Sequence, residues 1–208
     1  MNTSAGHGWS LLYVADPMCS WCYGFAPSLM AVRARWPELP LELVLGGLRA
    51  KGEPLDEGLR AKLRSHWGEV ARRSGQPFSP ASLAREGWIY TTEPACRAVV
   101  AVREIAPAHT LAMFHAVQTA FYAQGQDVTD THALADIAQG IGLARSDFEQ
   151  AFSDSRETTA IDFAVAQRLG IGGFPALALV REGQGQLVAP GWVAPDELLE
   201  RVEQIIGR

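Results

Sequence analysis

Apolar positions along the chain alternate between strand-like and helix-like spacing, and the order of these switches predicts the architecture. Leu11-Leu12-Tyr13-Val14-Ala15 is a short continuous apolar run, as in a buried strand, and Asp16-Pro17 ends it because proline offers no N–H to a ladder. Phe25, Leu29, Val32 and Trp36 then recur at spacings of four, three and four, which places them on one helical face; Pro37 and Pro40 forbid continuation. Leu41, Leu43 and Leu45 alternate around Glu42 and Val44 before Gly46-Gly47, giving a second strand. The length of the connection makes this strand parallel to the first, in a right-handed β-α-β unit.

From Lys51 to about Gly170 no strand pattern stands out, and helical patterns follow one another. The first carries Leu59, Leu63, Trp67 and Val70, the second Ala98, Val102 and Ile105, the third Leu111, Phe114, Val117 and Phe121. Later helices are predicted from about Thr131 to Ile141, from Ser146, where Ser146 and Glu149 form a capping-box signature, and from about Glu157 to Leu169, stopped by Gly170. Strand character returns at Ala176 to Val180 and Gln186 to Ala189, which flank a Gly183-Gln184-Gly185 turn and pair as an antiparallel hairpin. Pro195-Asp196-Glu197 starts a final helix packed through Leu198, Val202 and Ile205. The expected class is α/β with a mixed central sheet, in the order β-α-β, all-helical insertion, α-β-β-α. Residues 1–50 and 155–208 form the core and 51–154 an inserted helical lid domain, integral because the strands must pair across it.

Composition narrows the function classes. With 208 residues, 48% hydrophobic and 20% charged, the chain can bury a core. A net charge of −5 and a pI near 5.5 give no support for nucleic-acid or anionic-membrane binding. No segment approaches the ~18 consecutive apolar residues of a membrane span, and Met1 to Gly8 shows neither a basic nor an apolar leader region. The expected location is the cytoplasm. Three cysteines, an odd number, do not make a structural disulfide framework.

Two of those cysteines carry the chemistry. Cys19-Ser20-Trp21-Cys22 follows the first strand and opens the first helix, so both thiols fall on one turn and can close a disulfide. At the helix N-terminus, unpaired N–H groups and the positive end of the dipole favour a thiolate, which makes Cys19 the exposed nucleophile. Cys22, a turn further in and more buried, is expected to attack the mixed disulfide formed at Cys19 and release the partner.

Cys19-Ser20-Trp21-Cys22-Tyr23, the helical block and Gly173-Phe174-Pro175 together resemble the DsbA family of thioredoxin-fold proteins over nearly the whole chain. Within it, Asp16-Pro17-Met18 and Tyr23-Gly24-Phe25 around a Cys-x-Trp-Cys centre look most like the cytosolic FrnE-like branch of predicted dithiol-disulfide isomerases. The resemblance implies a thioredoxin-like fold and disulfide exchange with protein thiols or disulfides, with glutathione as a possible co-substrate and no cofactor or metal, in a monomer or homodimer. It also implies that Pro175 is a cis-proline facing the dithiol, beside which the backbone of Phe174 pairs with an extended substrate segment. Pro27 matches the proline often found within the first helix of this fold. Two departures stand out: Ser20 replaces the proline many members carry after the first cysteine, and Tyr13 stands where several relatives bury a carboxylate beneath the second. Proton transfer at Cys22 then calls for water; Asp16 is the nearest carboxylate in sequence, though its place before Cys19 fits an Asx-type turn cap at least as well.

Other readings are weighed against these. Cys-x-x-Cys is also half of a zinc site, but no second ligand pair accompanies it. Cys96 reads as a small buried hydrophobe, His115 as a satisfied helix histidine, and His66, His109 and His132 as surface residues. Trp21 is expected to shape the rim that meets substrate. The runner-up function is non-redox glutathione chemistry of the kappa-class transferase or 2-hydroxychromene-2-carboxylate isomerase type, whose members resemble DsbA but commonly have serine where Cys19 stands. A third is a non-catalytic binding module. Two retained cysteines favour redox exchange.

Overall fold

A computed structural model describes residues 8–207. The leader reading of Met1 to Gly8 falls, but for Gly8, outside them. The central sheet contains β1 (Ser10–Ala15), β2 (Leu41–Leu45), β5 (Ala176–Arg181) and β6 (Gln184–Ala189) in the order β2-β1-β5-β6. β1 runs parallel to β2 and antiparallel to β5, so the sheet is mixed, as expected. Strand period assigns its faces. Leu11, Tyr13 and Ala15 point into the main core with α1 (Ser20–Arg35), whereas Val14 packs with Val44, Ala166 and Ala176 on the opposite side. That side is covered by α7 (Arg156–Arg168), which packs on β2, while α8 (Pro195–Ile206) packs on α1.

Between β2 and α7 lie α2 (Glu57–Ser74), α3 (Glu93–Ile105), α4 (Thr110–Tyr122), α5 (Thr131–Gly140) and α6 (Arg145–Asp154). Most of the positions the periodicity marks are buried, including Leu63, Trp67, Val70, Ala98, Val102, Phe114, Val117 and Phe121, but Ile105, the last residue of α3, is exposed. One contiguous apolar cluster takes in side chains from β1 and α1 and from α2 to α6.

Three local expectations need correction. Residues 51–170 do contain strands: β3 (Glu53–Pro54) and β4 (Ile89–Tyr90) form a small antiparallel pair too short to show any periodicity. α6 begins at Arg145, so Ser146 lies inside its first turn. Its hydroxyl meets Asp147 at 3.2 Å and makes no capping box, while Arg145 reaches back to Gln139 and Asp136 and forward to Glu149. The hairpin turns earlier than expected, at Glu182-Gly183, both at positive φ (53° and 75°), and Gln184 and Gly185 pair within the ladder. Two consecutive left-handed residues are what a two-residue type I′ connection requires.

The segment after β2 is tied to the core by a bidentate ion pair. The Arg103 guanidinium on α3 donates to both Asp162 carboxylate oxygens on α7 (2.9 and 2.8 Å) and to the Leu43 carbonyl (2.9 Å), and Asp162 accepts from the Leu45 N–H (2.9 Å). Asp162 is buried, so truncating it strands a guanidinium and an edge amide together. Asp162→Ala is expected to lower unfolding free energy by about 3 kcal/mol, measured as a drop in urea midpoint with unchanged slope. A midpoint within error of wild type would show that this pair holds nothing together.

Candidate active site

The dithiol sits where β1 gives way to α1. Asp16 closes an Asx turn, accepting the Met18 N–H at 2.8 Å, and its backbone carbonyl accepts from Cys19 N–H at 3.0 Å, which folds the chain into the helix. Cys19 is the N-cap of α1, with extended φ/ψ and no side-chain cap, and its carbonyl accepts the Tyr23 N–H at 3.0 Å. Cys22 lies one turn inward, close to Cys19, and the two are not joined. Cys19 is 6% exposed and Cys22 wholly buried. The order of burial is as expected, but Cys19 is less open than its place at the start of the helix suggests. The reason is the segment before β5, whose Phe174 carbonyl approaches the Cys19 sulfur at 3.5 Å.

That segment arrives through the sheet. β5 pairs with β1 in a register that sets Ala176 against Val14, so Phe174 and Pro175 fall beside the turn carrying Cys19. The Phe174–Pro175 peptide bond is cis. Space for the Phe174 ring is provided by Gly46, where a Cβ would lie 2.0 Å from it. The exposed Gly172 and Gly173 lead into the segment, leaving backbone accessible next to the sulfur.

Burial acts strongly on the inner sulfur. Burial, followed by the hydrogen bond and charge of Cys19, pushes the Cys22 thiol well above its ordinary range. Asp16, fully buried, is also raised by desolvation, partly offset by the Leu48 and Met18 N–H groups, of which Leu48 donates at 2.7 Å. The Cys96 thiol donates to the same carboxylate at 3.4 Å, and burial with the Asp16 charge raises its own pKa. Cys96 is therefore buried, as expected, but is also a polar partner of the active-site turn. Around the pair stand buried phenols. Tyr90 donates to the Met18 carbonyl at 2.8 Å. Tyr13, packed on Phe25 and Phe114, directs its hydroxyl to Cys22 and finds no well-formed hydrogen bond. Trp21 is half-buried at the rim, facing Trp192 from the loop before α8.

Sequence reasoning missed Tyr90, Trp192 and the long-range partners of Asp16. Only Asp16 gave a signal, as a lone acid before the first cysteine. His115 lies outside this group, paired with Gln118 at 3.1 Å, and burial lowers its pKa. His66, His109 and His132 are exposed. Among the described residues, no cluster of His, Cys, Asp or Glu is arranged to hold a metal ion.

The profile of the DSBA-like thioredoxin domain matches residues 11–203. The chain belongs to that family. Among solved structures it is similar to a "putative protein disulfide isomerase" from Nitrosomonas europaea, with 34% identity, a TM-score of 0.89 and coverage of 97% of this chain and 98% of that one. It is also similar to the cytosolic disulfide reductase DsbM from Pseudomonas aeruginosa (29% identity, TM-score 0.83, covering 95% and 98%) and to the same protein with GSH (28%, 0.82, covering 96% and 100%). A "probable DsbA oxidoreductase" from Streptomyces coelicolor shares the fold at 18% identity and a TM-score of 0.72. No curated protein sequence matches the chain. Membership of this family makes the chain a DsbA-like thiol-disulfide oxidoreductase in class, and the thioredoxin-like fold expected from its sequence is the fold it has. Among the described residues no helix is long and apolar enough to cross a membrane.

Unequal burial has a direct chemical consequence. Brief treatment of the reduced native protein with iodoacetamide at neutral pH is expected to add one carbamidomethyl group, at Cys19, with Cys22 and Cys96 labelled only after denaturation. Peptide mapping that finds Cys22 or Cys96 labelled first contradicts this placement.

Proposed function

We propose that the chain exchanges disulfides with other proteins and with glutathione mixed disulfides in the cytoplasm, chiefly as a reductant or shuffler, with Cys19 as nucleophile and Cys22 as resolving thiol. The observation that carries this reading is the convergence of three features at one point: a cysteine at the N-cap position of α1, a second buried one turn behind it, and the cis Phe174–Pro175 segment against the first. The sulfurs themselves carry the two electrons, so the step calls for neither metal nor organic cofactor.

In the first half-reaction the Cys19 thiolate attacks one sulfur of a substrate disulfide. A Cys19–substrate S–S bond forms, the substrate's own breaks, and the departing thiolate takes a proton from water. Extended substrate backbone lies along Gly173-Phe174-Pro175, and Trp21 forms the facing rim. In the second half-reaction Cys22 gives up its proton and attacks Cys19, closing the intramolecular disulfide and expelling the second substrate thiolate. Electrostatics time this step. The charge of Cys19 is one cause of the raised Cys22 pKa, and forming the mixed disulfide removes that charge, so Cys22 ionises more readily once it is needed. Two glutathione thiols, oxidised together to glutathione disulfide, return the pair to the dithiol. The GSH in one Pseudomonas aeruginosa DsbM structure supports including this co-substrate.

The test is turnover of a protein disulfide and of a glutathione mixed disulfide by three proteins. Cys19→Ser is expected to lose all activity. Cys22→Ser is expected to lose turnover yet accumulate a covalent adduct at Cys19, visible by mass and released by dithiothreitol. Full activity in Cys19→Ser sinks the proposal, as does the absence of any adduct in Cys22→Ser.

A further inference from the structure

Beside the dithiol a cation lies over two indole rings. Arg73, in the last turn of α2, is exposed, and its guanidinium lies over the Trp192 ring at 4.5 Å and the Trp21 ring at 5.4 Å. Among the described residues it makes no ion pair, whereas Arg72 next to it is paired with Glu69. The arrangement is built. The Trp192 N–H donates to the Gly24 carbonyl at 2.9 Å, which anchors one indole to α1, and the other indole sits between the two cysteines. Gly24 also lets α2 approach, since a Cβ there would come within 2.6 Å of Val70 and 3.3 Å of Ser74. A guanidinium that lies over an aromatic ring and has no carboxylate partner keeps N–H donors for a ligand, in the fork that a carboxylate accepts in bidentate fashion. In a chain of net charge −5 no general field draws anions, so attraction of an anion to this place calls for a local cation.

We propose that Arg73, held by Trp21 and Trp192, is a carboxylate-binding residue, and that this site prefers small disulfides whose thiols carry a free carboxylate. The inference rests on the dithiol chemistry proposed above for its turnover, but not for its binding. Two measurements therefore separate them. S-methylglutathione, a thioether that cannot exchange, is titrated calorimetrically into wild type, Arg73→Ala and Arg73→Lys, with its dimethyl ester as the control that lacks free carboxylates. Turnover of glutathione disulfide is then compared with that of cystamine, a dicationic disulfide.

Arg73→Ala is expected to weaken S-methylglutathione binding roughly tenfold, the scale of one charge-assisted bidentate contact. Arg73→Lys should restore it in part, and the ester should bind wild type and Arg73→Ala alike. In turnover the loss for glutathione disulfide should appear in KM with kcat little changed, while cystamine reduction stays level or improves. Equal losses for glutathione disulfide and cystamine, or unchanged S-methylglutathione affinity in Arg73→Ala, overturn the proposal. Charge-dependent binding in a wild type that reduces neither disulfide upholds the carboxylate site and overturns the redox reading instead.

Discussion

The register of β1 against β5 is the constraint on which the site depends. Ser10 pairs with Val180 and Val14 with Ala176 across 160 or so residues of intervening chain, and that pairing brings Phe174-Pro175 to the turn holding Cys19. A slip of one residue reverses every side chain on β5. Leu177 and Leu179 would leave the main core for the opposite face, and Ala176 would leave the packing with Val14 and Val44. Burial on both faces therefore fixes the register far more firmly than the hydrogen bonds alone, and the geometry at the sulfur follows from hydrophobic packing a few residues away.

Asp16 joins the local and long-range parts of this arrangement. Its carboxylate shapes the turn through Met18, holds the chain leaving β2 through Leu48, and accepts the Cys96 thiol from α3. A buried charge satisfied from three elements is costly if any partner is lost, which makes it a specifying device as much as a stabilising one. Its raised pKa sets the sign of its effect. The folded state takes up the Asp16 proton more readily than the unfolded chain does, so ionisation of this group works against folding as pH rises through the raised value. Burial is the first cause of the raised thiols of Cys22 and Cys96, and the charge of Asp16 adds to it, more for Cys96 than for Cys22.

Much of this was legible in the sequence because it follows from short-range physics. Helical faces such as Phe25, Leu29 and Val32 announce themselves by spacing, and a pair of cysteines opening a helix after a strand specifies its own position. What escaped is what spacing does not encode. β3 and β4, two residues each, are too short for alternation, and their placement comes from tertiary contact. The hairpin shifted because Glu182 adopts a left-handed conformation that its residue type does not advertise. Cys96 looked like an inert apolar residue because its partner lies 80 positions away. Gly24 and Gly46 read as part of a motif and a strand end, yet each marks a close approach, by α2 in one case and by the Phe174 ring in the other.

The helices between β2 and α7 act as part of the site rather than as a cover laid over it. Tyr90 grips the Met18 carbonyl just before Cys19, Tyr122 stacks on Tyr23 one turn after it, and Arg73 sits on the tryptophan between the cysteines. Each of these comes from a different element of the inserted segment, and each touches the turn or helix that the sheet positions. The Arg103–Asp162 pair and the shared apolar cluster fix the segment to the core, so these contacts are set by packing and not by loop flexibility. The sheet positions the two cysteines, and the helices between β2 and α7 supply the side chains that surround them.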